Sequence, residues 1–199
     1  MTQRLLTGWG HTAPSSADVL EGAGVEAARR ALSTAGGRGV LARGLGRSYG
    51  DAAQNGGGTV LLLGDHTITV DDETGVVTAG AGVGFDALIR TLLGRGWFVP
   101  VTPGTRMITV GGAIAADVHG KNHHADGSWG NHLVDIELLT PDGSVHTLSP
   151  NEDREAFWAT VGGMGLTGVI LACRFRAIRV ETSRMLVDTW RTSDLDETM

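Results

Sequence analysis

Pro103-Gly-Thr-Arg-Met-Ile-Thr-Val-Gly-Gly-Ala-Ile-Ala-Ala-Asp-Val-His-Gly-Lys-Asn-His-His-Ala-Asp-Gly-Ser-Trp-Gly-Asn-His132 is too polar for a core strand and too interrupted by glycine for one long helix. It nevertheless holds four of the chain's seven histidines. Gly104, Gly111, Gly112, Gly120, Gly127 and Gly130 let the backbone turn tightly or meet a ligand with no Cβ in between, and runs of exposed N–H groups form concave anion-binding nests. The stretch reads as a binding site, and a phosphate-bearing cofactor is its natural guest.

The flanking sequence supplies a scaffold. Upstream, residues 1–17 read as an extended lead-in, and Val25-Glu-Ala-Ala-Arg-Arg-Ala-Leu-Ser-Thr-Ala as a helix that stops at Gly36-Gly37. Short strands are expected at Val40–Arg43, Thr59–Leu63, Thr67–Asp71, Gly75–Ala79 and Trp97–Val101. Phe85, Leu88, Ile89, Leu92 and Leu93 recur at helical spacing and give one apolar stripe for a sheet. Downstream, Leu133–Thr140 and Ser144–Leu148 read as strands joined by the turn Pro141-Asp-Gly143. A helix over 149–161 then feeds the strand Val169–Arg176. Strand pairs interrupted by single helices make the fold class α+β.

Thr192-Ser-Asp-Leu-Asp-Glu197 has the character of a helix N-cap followed by an acidic first turn. Because the chain stops at Met199, we expect it to be the front part of a longer protein.

Composition narrows the function classes. Lys plus Arg is 16 against 22 Asp plus Glu, and the net charge of −6 argues against a nucleic-acid scaffold bound through phosphates. Glycine, at 31 of 199 residues, is dispersed and not repetitive, so it signals backbone conformation and not low complexity. Cys173 is the only cysteine, which excludes an intrachain disulfide. The first 25 residues lack a signal-type apolar core, and no run approaches the ~20 apolar residues of a spanning helix. Cytoplasmic is the default on these grounds alone.

Three familiar motifs fail on context. Gly163-Met-Gly-Leu-Thr-Gly168 satisfies G-x-G-x-x-G, but it lies between a helix and a strand, the reverse of the dinucleotide fingerprint. Gly46-Arg-Ser-Tyr-Gly50 matches G-x-S-x-G without a strand-to-helix elbow. His119 and His123 are spaced i, i+4, but Gly120 separates them and no H-E-x-x-H glutamate accompanies them, so no metal is assigned.

What remains is a set of glycine loops at 44–50, 80–84, 104–112, 120–130 and 162–168, each at the end of a strand or helix. For 80–84 and 162–168, tight turns and ligand contact weigh equally. The other three carry or adjoin Arg43, Arg47, Arg106 and Lys121, cations suited to phosphate, and ligand contact is favoured there.

Through Gly44-Leu-Gly-Arg-Ser-Tyr-Gly-Asp51, Pro103-Gly-Thr-Arg106, Thr109-Val-Gly-Gly-Ala-Ile-Ala115, His119-Gly-Lys-Asn-His-His124 and Gly130-Asn-His132, the chain resembles the vanillyl-alcohol-oxidase-type, or PCMH-type, FAD-binding domain. Within that superfamily it is most similar to the flavin subunits that oxidise decaprenylphosphoryl-β-D-ribose. The resemblance implies two lobes, about 1–100 and 101–199, with FAD between them and a substrate domain beyond residue 199.

It also implies cofactor contacts at Arg43, Gly44, Leu45, Gly46, Arg47, Ser48, Tyr49, Gly50, Asp51, Gly104, Thr109, Val110, Gly111, Gly112, His119, Gly120, Lys121, Asn122 and Ile170. His119 is the catalytic candidate. The implied reaction oxidises the ribose 2′-hydroxyl to a ketone, and an NADH-dependent reductase partner completes the epimerisation that feeds cell-wall arabinan synthesis. A lipid-linked substrate, peripheral membrane association and a cell-envelope location follow from the same resemblance. No histidine occurs from Ala42 to Gly58, so the FAD is expected to be non-covalent. The competing expectations are an alditol or aldonolactone oxidase that uses oxygen, and a catalytically inert flavin-binding module.

Overall fold

Alternating burial, the mark of strands with one face on a core, sets out most of the sheet structure. The computed structural model describes residues 1–199. Strand β1 (Thr2–Leu6) runs antiparallel to β2 (Ser15–Ala23), with Thr2 opposite Val19 and Leu6 opposite Ser15. In β2, Ala17, Val19 and Ala23 turn inward while Asp18 and Glu21 stay exposed. The expected extended lead-in is therefore a strand pair. Its period-2 pattern is carried partly by alanine, which gives a weak signal beside the usual β-branched residues.

Helix α1 (Val25–Ser33) carries the chain over to β3 (Val40–Ala42), and β4 (Thr59–Leu63) then inserts between β2 and β3, parallel to both. The first sheet thus has the order β1-β2-β4-β3.

The second sheet is antiparallel throughout. It contains β5 (Ile68–Val70), β6 (Val76–Gly80), β8 (Leu133–Leu139), β9 (Val145–Leu148) and β10 (Val169–Arg176), in the order β5-β6-β10-β8-β9. A small pair joins β7 (Trp97–Phe98) to β11 (Ile178–Arg179). The change from first to second sheet falls between residues 63 and 68. The expected lobe boundary near residue 100 does not coincide with it, because β6 pairs with β10 and carries β5 at its outer edge.

Helix α2 (Phe85–Leu93) buries Phe85, Leu88 and Leu92 in the main core, beside Trp129, Ile136, Cys173 and Phe175. Trp129 stacks obliquely between Phe85 and Phe175, at centroid distances of 5.0 and 4.8 Å. A second cluster ties the two sheets together: Ala23 and Leu61 from the first, with Ala28 of α1, meet Leu139, Val169 and Leu171 from the second.

Strand β10 serves both clusters because its register against β8 shifts between Ile170 and Ala172. The bulge puts Ile170, Cys173 and Phe175 into the main core, whereas strict alternation would separate Ile170 from the other two.

The glycine-rich centre resolves into short pieces: α3 (Val110–Ala115), α4 (His123–Asp126) and a 3-10 turn at Trp129–His132. The helix expected over 149–161 is shorter, α5 (Arg154–Thr160), because Ser149 caps a turn by accepting at its Oγ from Glu152 N at 2.9 Å. A last turn, α6 (Leu195–Thr198), is capped by Asp194, whose side chain accepts from Glu197 N. No helix is long and apolar enough to cross a membrane.

Candidate functional site

Where the two sheets meet, loops from both enclose a cavity of about 640 Å³. Its wall is formed by Glu21 and Gly22, by residues 42–50 with Ala52 and Ala53, by 62–64 and His66, by Ala81 and Gly82, by Ile108, Thr109, Gly111 and Gly112, by Ala115, Ala116 and Val118, and by Met164, Gly165, Gly168 and Ile170. The size lies within the ~300–1,000 Å³ range of small-molecule and cofactor sites.

These loops are joined by backbone hydrogen bonds. Val110 N donates to Val83 O at 2.8 Å and Gly111 N to Ala81 O at 2.9 Å, so the start of α3 is tied to the loop after β6. At its other end, Met164 N donates to Ala115 O at 2.8 Å and Gly162 N to Ile114 O at 3.0 Å. The bulged Leu171 offers its carbonyl to Ala81 N at 2.8 Å. Loops 80–84 and 162–168, balanced between turn and contact on sequence grounds, both reach the cavity wall.

Glycine plays a different part from the one expected. A Cβ on Gly44 would come 2.4 Å from Thr109 Oγ1, on Gly46 2.2 Å from Arg43 Nη2, and on Gly111 2.9 Å from the Ala81 Cβ. Gly44 and Gly111 let one segment press against another, and Gly46 makes room for the guanidinium of Arg43 in its own loop. Gly22, Gly50 and Gly165 are the wall glycines with nothing near their missing Cβ; Gly22, at φ +65°, and Gly165, at φ +78°, also need the left-handed conformation.

The arginines divide in the same way. Arg43 directs its guanidinium to two backbone carbonyls, Ala53 O and Thr7 O, each at 2.6 Å. Burial, with the nearby charges of Arg4 and Arg47, holds its pKa below the ordinary arginine value. It braces the loop through these carbonyls while remaining in the cavity wall. Arg106 pairs with Asp86 at 2.9 Å on the surface and does not reach the cavity.

Of the expected cofactor contacts, Arg43, Gly44, Leu45, Gly46, Arg47, Ser48, Tyr49, Gly50, Thr109, Gly111, Gly112 and Ile170 come together in the wall. Asp51, Gly104, Val110, His119, Gly120, Lys121 and Asn122 do not. Val110 is buried in the main core. Asp51 and Gly104 are exposed.

The 119–122 segment begins just past the wall residue Val118, where His119 forms a β-bridge with Ser128. The segment is laid against residues 100–102, just past β7. A Cβ on Gly120 would meet Thr102 O at 2.6 Å, and Asn122 Nδ2 donates to Pro100 O at 3.0 Å. His119 and Lys121 are exposed. The histidines of this region stack edge to edge, with centroids 5.8 and 5.9 Å apart, and nowhere do three metal-ligating side chains gather.

Sequence reasoning missed Gly22, Gly64, His66 and Met164, all in the wall. His66 lies between two strands in a segment with no motif, and only the switch from one sheet to the other brings it to the cavity.

Comparison with known proteins places this geometry among flavoproteins. Residues 19–149 match the family described as FAD binding domain. Decaprenylphosphoryl-beta-D-ribose oxidase of Mycolicibacterium smegmatis is 50% identical over 204 residues, covering 100% of this chain and 44% of that protein. An uncharacterized protein in the mprA 5′ region of Streptomyces coelicolor is 48% identical over 112 residues, covering 56% of this chain and 30% of that protein. Delta(24)-sterol reductase of Homo sapiens is 28% identical over 111 residues, covering 56% and 22%. The chain spans less than half the length of each of these relatives.

Proposed function

The chain belongs to the FAD-binding domain family, and on that premise we propose that it is the FAD-binding portion of an oxidoreductase that oxidises the 2′-hydroxyl of a decaprenylphosphoryl ribose to the 2′-ketone. The observation that carries the FAD assignment is the cavity between the two sheets, where six separate stretches of the chain form one wall. The substrate assignment rests on the 50% identity to decaprenylphosphoryl-beta-D-ribose oxidase along the whole chain.

The residues present suit FAD. The wall is apolar over much of its area, as a ring system needs, and polar at the first loop, where Arg47 carries a buried Nε with no protein partner. We assign the diphosphate to the 43–50 loop, with Arg47 as its cation, and the adenine side to Gly168 and Ile170. Thr109, Gly111 and Gly112 hold the middle of the cofactor. The two sheets then act as two lobes with the cofactor between them. With no histidine in the 42–58 loop, the binding is non-covalent.

When bound, the flavin supplies the hydride acceptor. Oxidation of a secondary alcohol also releases a proton from oxygen, and we assign His119 to that side of the site, with Gly120, Lys121 and Asn122 beside it. Asn122 fixes the segment through Pro100 O and Asp126. Reduction of the ketone from the opposite face belongs to a separate NADH-dependent reductase. The lipid carrier of the substrate calls for peripheral contact with a membrane, which puts the reaction at the cell envelope.

The test is anaerobic addition of decaprenylphosphoryl ribose to the FAD-loaded protein. Loss of the visible flavin band with this substrate, and none with free sugar alcohols, supports the assignment. Reduction by free sugar alcohols with peroxide release in air contradicts it.

A further inference from the structure

Outside the cavity wall, Thr7–Ser15 is strapped across the first glycine loop. Trp9 N donates to Ser48 O at 2.8 Å, and a Cβ on Gly8 would come 2.1 Å from Gly50 O, so strap and loop touch backbone to backbone. Arg43 reaches Thr7 O from the loop side. Gln54 fastens the strap again: in the amide orientation that satisfies its neighbours, its nitrogen donates to Leu6 O at 3.0 Å and Ala13 O at 3.2 Å, and its oxygen accepts from Gly8 N at 3.1 Å.

The consequence falls on Arg47. Its guanidinium carbon lies 5.2 Å from the centroid of the Trp9 ring. It belongs to the cavity wall, while Trp9 does not. Its Nε is buried without a partner, and it is absent from every ion pair, in contrast to Arg43, which is committed to two carbonyls. An aromatic face on one side fixes a guanidinium plane without occupying its hydrogen-bond donors, which stay available to an anion.

We propose that Trp9 is a positioning residue for the cofactor's diphosphate, acting through Arg47. The strap is thereby a working part of the binding site. This rests on the reading of the cavity as an FAD site. It adds a residue outside the cavity that sets the cavity's affinity for phosphate.

The test compares FAD, ADP-ribose and riboflavin, titrated against the 199-residue chain and its Trp9→Ala, Trp9→Phe and Arg47→Gln variants, with melting temperatures as the folding check. Trp9→Ala is expected to weaken FAD and ADP-ribose by roughly threefold to tenfold, the size of a partly exposed cation–π contact, and to leave riboflavin, which has no phosphate, unchanged. Trp9→Phe restores most of the loss. Trp9→Ala combined with Arg47→Gln binds FAD no more weakly than Arg47→Gln alone, because the ring acts only through the arginine.

Three outcomes overturn the proposal while leaving the FAD site standing: Trp9→Ala binding FAD like the wild type, riboflavin affinity falling in the same proportion, or losses that add in the double variant. The double-variant comparison decides the matter where riboflavin binds too weakly to titrate. A wild-type chain that takes neither FAD nor ADP-ribose overturns the cavity assignment and this proposal together.

Discussion

The hydroxyl of Thr109 both caps α3 and fills the space that a side chain on Gly44 would need. It accepts from Gly112 N at 3.1 Å, and it lies 2.4 Å from the position of a Gly44 Cβ. One oxygen thus fixes the spacing between the first glycine loop and the start of α3, which meet at this point of the cavity wall.

Gly44→Ala therefore forces the loop and α3 apart. Overpacking of this kind costs about 1–3 kcal/mol, and the displaced wall should lose FAD affinity as well. Urea denaturation and flavin titration read the two effects. Gly37→Ala, at an exposed position with nothing near the added methyl, should change stability by less than about 0.5 kcal/mol.

Arg43→Met removes a charged donor from two part-buried carbonyls, Thr7 O and Ala53 O. We expect a stability loss of about 2–4 kcal/mol. Arg43→Lys should recover only part of it, since one ammonium lacks the planar fork that spans both acceptors. Denaturant midpoints for the two variants check the order.

Much of the fold was legible because periodicity and turn chemistry agree along the chain. The Asp142 turn, the α2 stripe and β10 stand where the sequence places them. The cavity wall was legible only in part. Gly44, Gly46 and Gly111 signal a backbone with no side chain, but sequence cannot say what takes up the room, which is Thr109 beside Gly44, Ala81 beside Gly111 and the loop's own Arg43 beside Gly46. Arg43 and Arg47 look alike at four residues' spacing. What separates them is Thr7 O and Ala53 O on one side and the Trp9 ring on the other, all set by tertiary contact.

Cys173 provides a pH test. Burial, and then the nearby Asp135 carboxylate, push its thiol far above the ordinary range. The folded pKa is raised, so this contribution to stability is fully present below the unfolded thiol value of about 8.5 and is lost as pH climbs above it. Cys173→Ser should flatten the alkaline fall in unfolding free energy. A thiol reagent should label the wild type only as fast as it unfolds.

Asp135 joins β8 to β10 through Arg174, whose Nε donates to both carboxylate oxygens at 3.0 and 2.9 Å. The carboxylate side chain is 10% exposed and the arginine 52%. Asp135→Asn keeps the shape but not the charge, and should cost about 1–2 kcal/mol. High salt should narrow the gap between variant and wild type, measured by urea denaturation at two ionic strengths.

The convergence of separate loops on one cofactor is tested most directly by titrating the purified chain with FAD and following flavin fluorescence and the visible absorption band, then gel filtration. The account predicts saturable binding near one equivalent, flavin travelling with the protein, and its release into the supernatant on acid precipitation. Unchanged emission, with flavin eluting apart from the protein, would contradict it.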